Sequence, residues 1–120
     1  MKAFLCTLFT IAILATALVF GVLARNRQTT QLPDLTKPST ITLRALPRQG
    51  TVTSIWLHIH GHIEGSATVS GGTYFAPRTV RGDIDIDTTT DCYDLYFEFR
   101  YAPTDVTSGH LTIDYKFHDL

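Results

Sequence analysis

The chain has 120 residues, 44% of them hydrophobic, with ten Lys and Arg against eleven Asp and Glu and a formal net charge of −1. That length leaves room for one folded domain and not two, and the near-neutral balance gives no overall argument for nucleic acid or a strongly charged partner. Of the two cysteines, Cys6 lies in an apolar N-terminus and Cys92 in the patterned part, so no intradomain disulfide is expected and the fold must stand without a staple.

Residues 3–24, AFLCTLFTIAILATALVFGVLA, carry no charge. As a helix rising 1.5 Å per residue they would extend about 33 Å, enough for a hydrocarbon core of about 30 Å. Residues 1–25 are therefore expected to form one hydrophobic helix, a transmembrane anchor or a signal sequence. A cleaved signal, with Ala15-Thr16-Ala17 or Val22-Leu23-Ala24 as its exit site, would leave a secreted protein. The anchor is preferred, because the run approaches the ~20 residues that a span needs. Arg25, Arg27, Lys37 and Arg44 lean towards a cytoplasmic domain by the positive-inside rule. A lone N-terminal apolar segment on a compact β domain argues for export, and a single-pass protein with an extracytoplasmic domain is the expectation.

Residues 26–40, NRQTTQLPDLTKPST, are polar, hold Pro33 and Pro38 and show no periodicity, which reads as a flexible linker. The β domain is expected over 41–120. Residues 41–46 alternate weakly, with Ile41, Leu43 and Ala45 on one face, and Pro47 to Gly50 reads as a turn.

The stretch that organises the domain follows, TVTSIWLHIHGHIEGSATVS over 51–70. Its odd positions from Ile55 to Val69 are apolar or glycine, and its even positions from Trp56 to Ser70 are mostly polar. Unbroken period two marks a half-buried strand. Fifteen residues of straight strand would run about 50 Å, long for a domain this size. Gly61 and Gly65 stand on the inward face, so either one strand bends sharply there or two strands meet in a tight turn near Glu64-Gly65.

Ser70-Gly71-Gly72 is a turn signal, and Thr73 to Ala76 reads as a short edge segment ending at Pro77. In TVRGDIDID, 79–87, Val80, Ile84 and Ile86 face inward and Arg81, Asp83, Asp85 and Asp87 outward. Thr88 to Asp91 reads as a loop. Residues 92–101 place Tyr93, Leu95, Phe97, Phe99 and Tyr101 on the most apolar face of the domain, with Tyr96 outward. A loop containing Pro103 leads to a last strand with Leu111, Ile113, Tyr115 and Phe117 inward. Six or seven short strands with regular turn signals predict an all-β fold, a small antiparallel β-sandwich, jelly-roll-like in its alternative form.

Three constellations could carry chemistry. His58, His60 and His62 share the outer face of the long strand. Neighbours two apart can converge on one metal ion, and His110 or His118 from another strand could complete a tetrahedral set. Asp83, Asp85 and Asp87 form an acidic row, which discourages edge-to-edge pairing or, placed opposite the histidines, gives cross-strand pairs. Trp56 and Tyr96 are outward aromatics able to stack on a glycan or anchor a protein partner. Among these residues there is no Gly-x-Ser-x-Gly, no phosphate loop and no paired nucleophile and base, so no enzyme is expected.

His58-x-His60-xxx-Glu64, followed by Gly71, resembles the first metal-binding motif of the cupin family, small β-barrels of jelly-roll type. The resemblance implies His58, His60 and Glu64 as metal ligands. It covers about 15 residues; Val52 stands where the motif has glycine, and the second motif is absent. The functional expectation is a membrane-tethered extracytoplasmic β-sandwich acting as a binding or envelope structural module. Its alternative is a metal-binding, cupin-like barrel, catalytic or not, with His58, His60, Glu64 and His110 around a divalent transition metal. The expected partners are the membrane, through residues 3–24, and a protein or glycan, with no nucleic acid.

Overall fold

The computed structural model describes residues 26–120. The hydrophobic helix expected over 1–25 lies outside the described residues, and among those described no helix is long and apolar enough to cross a membrane.

Six strands form one antiparallel sheet. They are β1 (Gln28–Gln31), β2 (Ser39–Arg44), β3 (Val52–Gly71), β4 (Phe75–Asp91), β5 (Tyr96–Pro103) and β6 (Ser108–Asp119). The order is β1-β6-β3-β5-β2, with β4 paired to β3. β3 is the hub, and its pairing explains the topology. Along one edge it accompanies β4 for almost its whole length. Along the other it pairs first with β6, from Val52↔Asp119 to Glu64↔Ser108, and then with β5, from Ala67↔Pro103 to Gly71↔Phe99.

The change of partner falls at Gly65, and the β3–β4 register shifts between Ile63 and Ser66. Gly61 and Gly65 have φ of 150° and 122°, backbone that a side chain disfavours. A Cβ on Gly65 would stand 2.6 Å from the Asp105 carbonyl oxygen. The glycines therefore bend one long strand, and no turn interrupts it at Glu64-Gly65.

The all-β antiparallel expectation is what the structure shows. In its finer part, a sandwich of separate sheets, the expectation differs from the hydrogen bonding, because all six strands belong to one sheet that continues past the bend. The single sheet curls on itself. Cys92 N–H donates to the Thr53 carbonyl at 3.2 Å, and the neighbouring Tyr93 ring lies 6.3 Å from Tyr74 at the β3–β4 turn. Gln28 of β1 donates to the Arg44 carbonyl of β2 at 2.9 Å, which links the two outermost strands.

The inner face holds one apolar cluster, including Ile55, Leu57, Ile59, Leu111, Ile113 and Phe117 from one arm and Leu43, Val69, Phe97, Phe99 and Tyr101 from the other. The odd-position parity of β2, β3, β5 and β6 selects these residues, as the alternation predicts.

Four sequence expectations need correction. The stretch read as a linker over 26–40 is part of the fold. β1 pairs with β6, Leu32 and Leu35 are buried, and the Tyr101 hydroxyl donates to the Leu35 carbonyl at 2.6 Å. Thr88 to Asp91, read as a loop, continues β4 opposite Ser54 to Leu57, because β-branched threonines suit an extended edge. The segment ending at Pro77 is likewise part of β4. Pro77 sits where the register slips between Val69 and Gly71, on an edge strand where its missing N–H costs nothing. Tyr93 and Leu95, placed at the core by parity, are 64% and 57% exposed, since β5 begins only at Tyr96 and the preceding residues bend away.

Candidate metal centre

Alternation turns Trp56, His58, His60 and His62 to the face of β3 opposite the core. The register lays an acidic row beside them, with His58 opposite Asp87, His60 opposite Asp85 and His62 opposite Asp83. The contacts run partly along the diagonal. His58 Nε2 meets Asp85 Oδ1 at 2.7 Å, and Trp56 Nε1 donates to Asp87 Oδ1 at 2.8 Å. His62 Nδ1 meets Asp83 Oδ1 at 2.7 Å, and its Nε2 meets Glu64 Oε1 at 2.6 Å. Hydrogen bonds donated by the ring to Glu64 and then to Asp83 raise the His62 pKa above its ordinary value.

On the other flank, β6 supplies Asp114, opposite His58. Its Oδ2 lies 3.1 Å from His60 Nε2, 3.6 Å from His58 Nδ1 and 3.1 Å from the Arg27 guanidinium. Thr29 Oγ1 donates to Oδ1 at 2.6 Å. Burial alone would raise the Asp114 carboxyl pKa, but the hydrogen bonds from Thr29, Arg27 and His60 outweigh it and hold the value below normal. The His58 and His60 rings stack with centroids 4.6 Å apart. One ligand atom from each of His58, His60 and Asp114 falls within 4.8 Å of the others, so this group could hold a metal ion.

Two features suit this group to holding a metal. A metal-binding imidazole commonly has its second nitrogen held by a carboxylate. Asp85 is placed to do this for His58: in the tautomer whose Nε2–H donates to Asp85, Nδ1 keeps its lone pair on the side of Asp114. Thr29 does the corresponding work for Asp114 by occupying Oδ1 and leaving Oδ2 towards the rings. Arg27 neutralises the carboxylate and lies over Trp56, 5.4 Å from the ring centroid.

Of the residues singled out from sequence, the structure brings together His58 and His60. Glu64 is engaged by His62 instead, which removes the third ligand that the cupin resemblance implies. His110 is exposed and stands opposite His62, outside the group, and His118 stands opposite Ser54. Trp56 and Tyr96 do not form one ligand face: Trp56 is capped by Arg27, whereas Tyr96 lines a separate cleft with Tyr74 and Tyr93. Asp114 was missed, since its even position in TIDYK reads as ordinary surface. Only the β3–β6 register identifies it.

Comparison with protein-family models, with curated proteins and with solved structures finds no match.

Proposed function

We propose that the chain is a membrane-tethered, non-catalytic binding module on the extracytoplasmic side, whose outer β3 face binds one divalent transition metal ion through His58 Nδ1, His60 Nε2 and Asp114 Oδ2. The observation that carries this reading is the convergence of one ligand atom from each of these three residues within 4.8 Å. Two imidazoles and a carboxylate suit zinc and its neighbours better than magnesium or calcium, which prefer all-oxygen sets. Binding would replace the proton shared between His60 Nε2 and Asp114 Oδ2 and would displace the Arg27 contact, so loading would release protons and weaken at low pH. Three protein ligands would leave a fourth position for water or a ligand atom from outside. The tether rests on the uncharged run over 3–24.

The test is elemental mass spectrometry of the full chain in neutral detergent, purified without a histidine tag, with melting before and after a chelator. About one equivalent of metal and a lower Tm on chelation are expected. His60→Ala and Asp114→Asn should lose the metal, and Glu64→Gln and His110→Ala should keep it. A protein that stays metal-free after incubation with zinc, iron or manganese refutes the site. The tether fails separately if alkaline carbonate strips the chain from membranes, or if it is recovered soluble and shortened beyond residue 24.

A further inference from the structure

A second site lies where the curl of the sheet closes. The β3–β4 turn, Gly72 to Tyr74, faces the segment Asp91 to Tyr96 that leaves β4 and enters β5. Between them is an open cleft of about 310 Å³. It shares no residue with the His58–His60–Asp114 group.

Three tyrosines line this cleft, and all are exposed: Tyr74 by 57%, Tyr93 by 64% and Tyr96 by 47%. Such exposure is not needed for folding, because the core beneath is closed by Phe97 and Cys92, both buried. The planes of Tyr74 and Tyr93 meet at 86° with centroids 6.3 Å apart. Two perpendicular rings offer a rounded group contacts from two directions, which a flat stack does not. The polar lining is acidic, with Asp91, Asp94 and Glu98 against Arg100 alone. Arg100 is already engaged, donating to the Gly72 carbonyl at 3.3 Å and lying 3.9 Å from Glu98. Among the described residues Asp91 and Asp94 form no salt bridge, so the cleft carries uncompensated negative charge beside its aromatic rings.

Electron-rich ring faces and unpaired carboxylates attract the same kind of guest, a bulky organic cation. A small hydrated metal ion would gain little from tyrosine faces. A neutral sugar would stack on one ring but would leave the excess carboxylate charge without a partner. We infer that the Tyr74–Tyr93–Tyr96 cleft binds a quaternary or alkylated ammonium group, with the rings around its methyl groups and Asp91 and Asp94 balancing its charge. That group can come from a free small molecule or from a choline-type lipid headgroup.

The test uses the full chain in polyoxyethylene detergent, with choline chloride as probe and its neutral isostere 3,3-dimethylbutanol as control. Ring currents should move the choline methyl resonance upfield in a saturable way, and the isostere should bind at least tenfold more weakly. Tyr93→Ala and Asp94→Asn, both changes of exposed residues, should each weaken choline at least threefold while the melting curve holds. Tyr93→Phe should retain it. Flotation with phosphatidylcholine and phosphatidylglycerol vesicles separates the sources, using chain reconstituted with its N-terminus already inserted in an unrelated vesicle. Selective bridging of phosphatidylcholine vesicles assigns the headgroup, and choline binding without bridging assigns a free ligand. No saturable choline shift, equal binding of the isostere, or binding of N-acetylglucosamine that choline does not displace would each overturn the inference.

Discussion

Replacing Gly61 by alanine tests whether the bend in β3 organises the fold. The new Cβ would fall on the His110 carbonyl oxygen, with the His110 carbonyl carbon at 3.0 Å and Leu111 Cα at 3.1 Å. All three are backbone atoms of β6, so no side chain can turn away and the strand itself must retreat. Alanine at φ near 150° adds backbone strain of about 1–3 kcal/mol. Loosening two ladder hydrogen bonds adds about 1 kcal/mol each. The total is about 3–5 kcal/mol, a large part of the ~5–15 kcal/mol that holds a small domain together. Gly82 is the internal control. Its φ is 64°, yet a Cβ there meets nothing within 4 Å, so Gly82→Ala carries only the left-handed penalty of about 1–2 kcal/mol. Urea titrations followed by far-ultraviolet circular dichroism should separate the two variants by about 1–4 kcal/mol, with Gly61→Ala the less stable. Equal losses within about 0.5 kcal/mol would refute the reasoning, because the close approach of β3 and β6 would then not constrain the strand.

Three further changes probe single contacts. In a Cys6→Ser background, Cys92 should react with a thiol reagent at pH 8 on the order of 100-fold more slowly than in the urea-unfolded chain. Burial raises the thiol pKa, and Sγ donates towards the Asp94 and Tyr96 carbonyls; a rapid reaction would contradict this burial. Gln49→Ala should cost about 2–3 kcal/mol in denaturant titrations, since the buried amide donates to the Phe117 carbonyl at 2.6 Å and accepts from Leu46 N–H at 3.1 Å. Tyr101→Phe should cost about 1–2 kcal/mol at pH 7 by stranding the Leu35 carbonyl. Burial, and then the charge of Asp34, raise the Tyr101 pKa. Its contribution is therefore complete below the unfolded value of about 10 and fades as pH rises through the folded value. The urea midpoints of wild type and Tyr101→Phe should converge above pH 10, and a constant gap would refute the linkage.

How far the fold can be read from sequence depends on whether its cause is local. The parity of 55–69 is local, so the buried face of β3 and the outer histidine row are both legible. The same holds for Leu111 to Phe117. The placement of Asp83, Asp85 and Asp87 beside the histidines is legible as one option among registers, and the structure realises it. Asp114 is not legible, because nothing near it in sequence distinguishes it from Lys116 two residues on. Its role depends on a β3–β6 register in which Gly61 and Gly109 each let the opposite backbone approach closely. Residues 26–40 mislead for a related reason. Pro33, Pro38 and a polar composition hide two isolated apolar residues, Leu32 and Leu35, whose burial is provided by distant strands. Parity also misleads when carried past the end of a strand, as at Tyr93 and Leu95.

Inclusion of 26–40 in the fold changes what a membrane anchor over 3–24 would do. A flexible linker of that length could hold the domain up to about 50 Å from a bilayer. Here the chain is pinned almost as soon as it would leave the membrane. Asn26 Oδ1 accepts two bonds from the Arg48 guanidinium, at 3.2 and 3.0 Å, and Arg27 is held between Asp114 and the Trp56 ring. Only Arg25 and Asn26 separate the end of the apolar run from Arg27, three chain steps or roughly 10 Å at full extension. On the anchor reading, the Trp56 end of the outer β3 face therefore lies close to the headgroup layer. Trp56 is the single tryptophan of the chain and reports on this directly. In vesicles, a spin label on the lipid headgroup should quench its fluorescence strongly, and a label deep in the acyl chain should quench it weakly. Arg27→Ala should reduce the headgroup quenching by freeing the first residues of the fold. Unquenched Trp56 in a chain shown to be inserted would mean that the domain stands away from the bilayer and that Arg27 does not fix its distance.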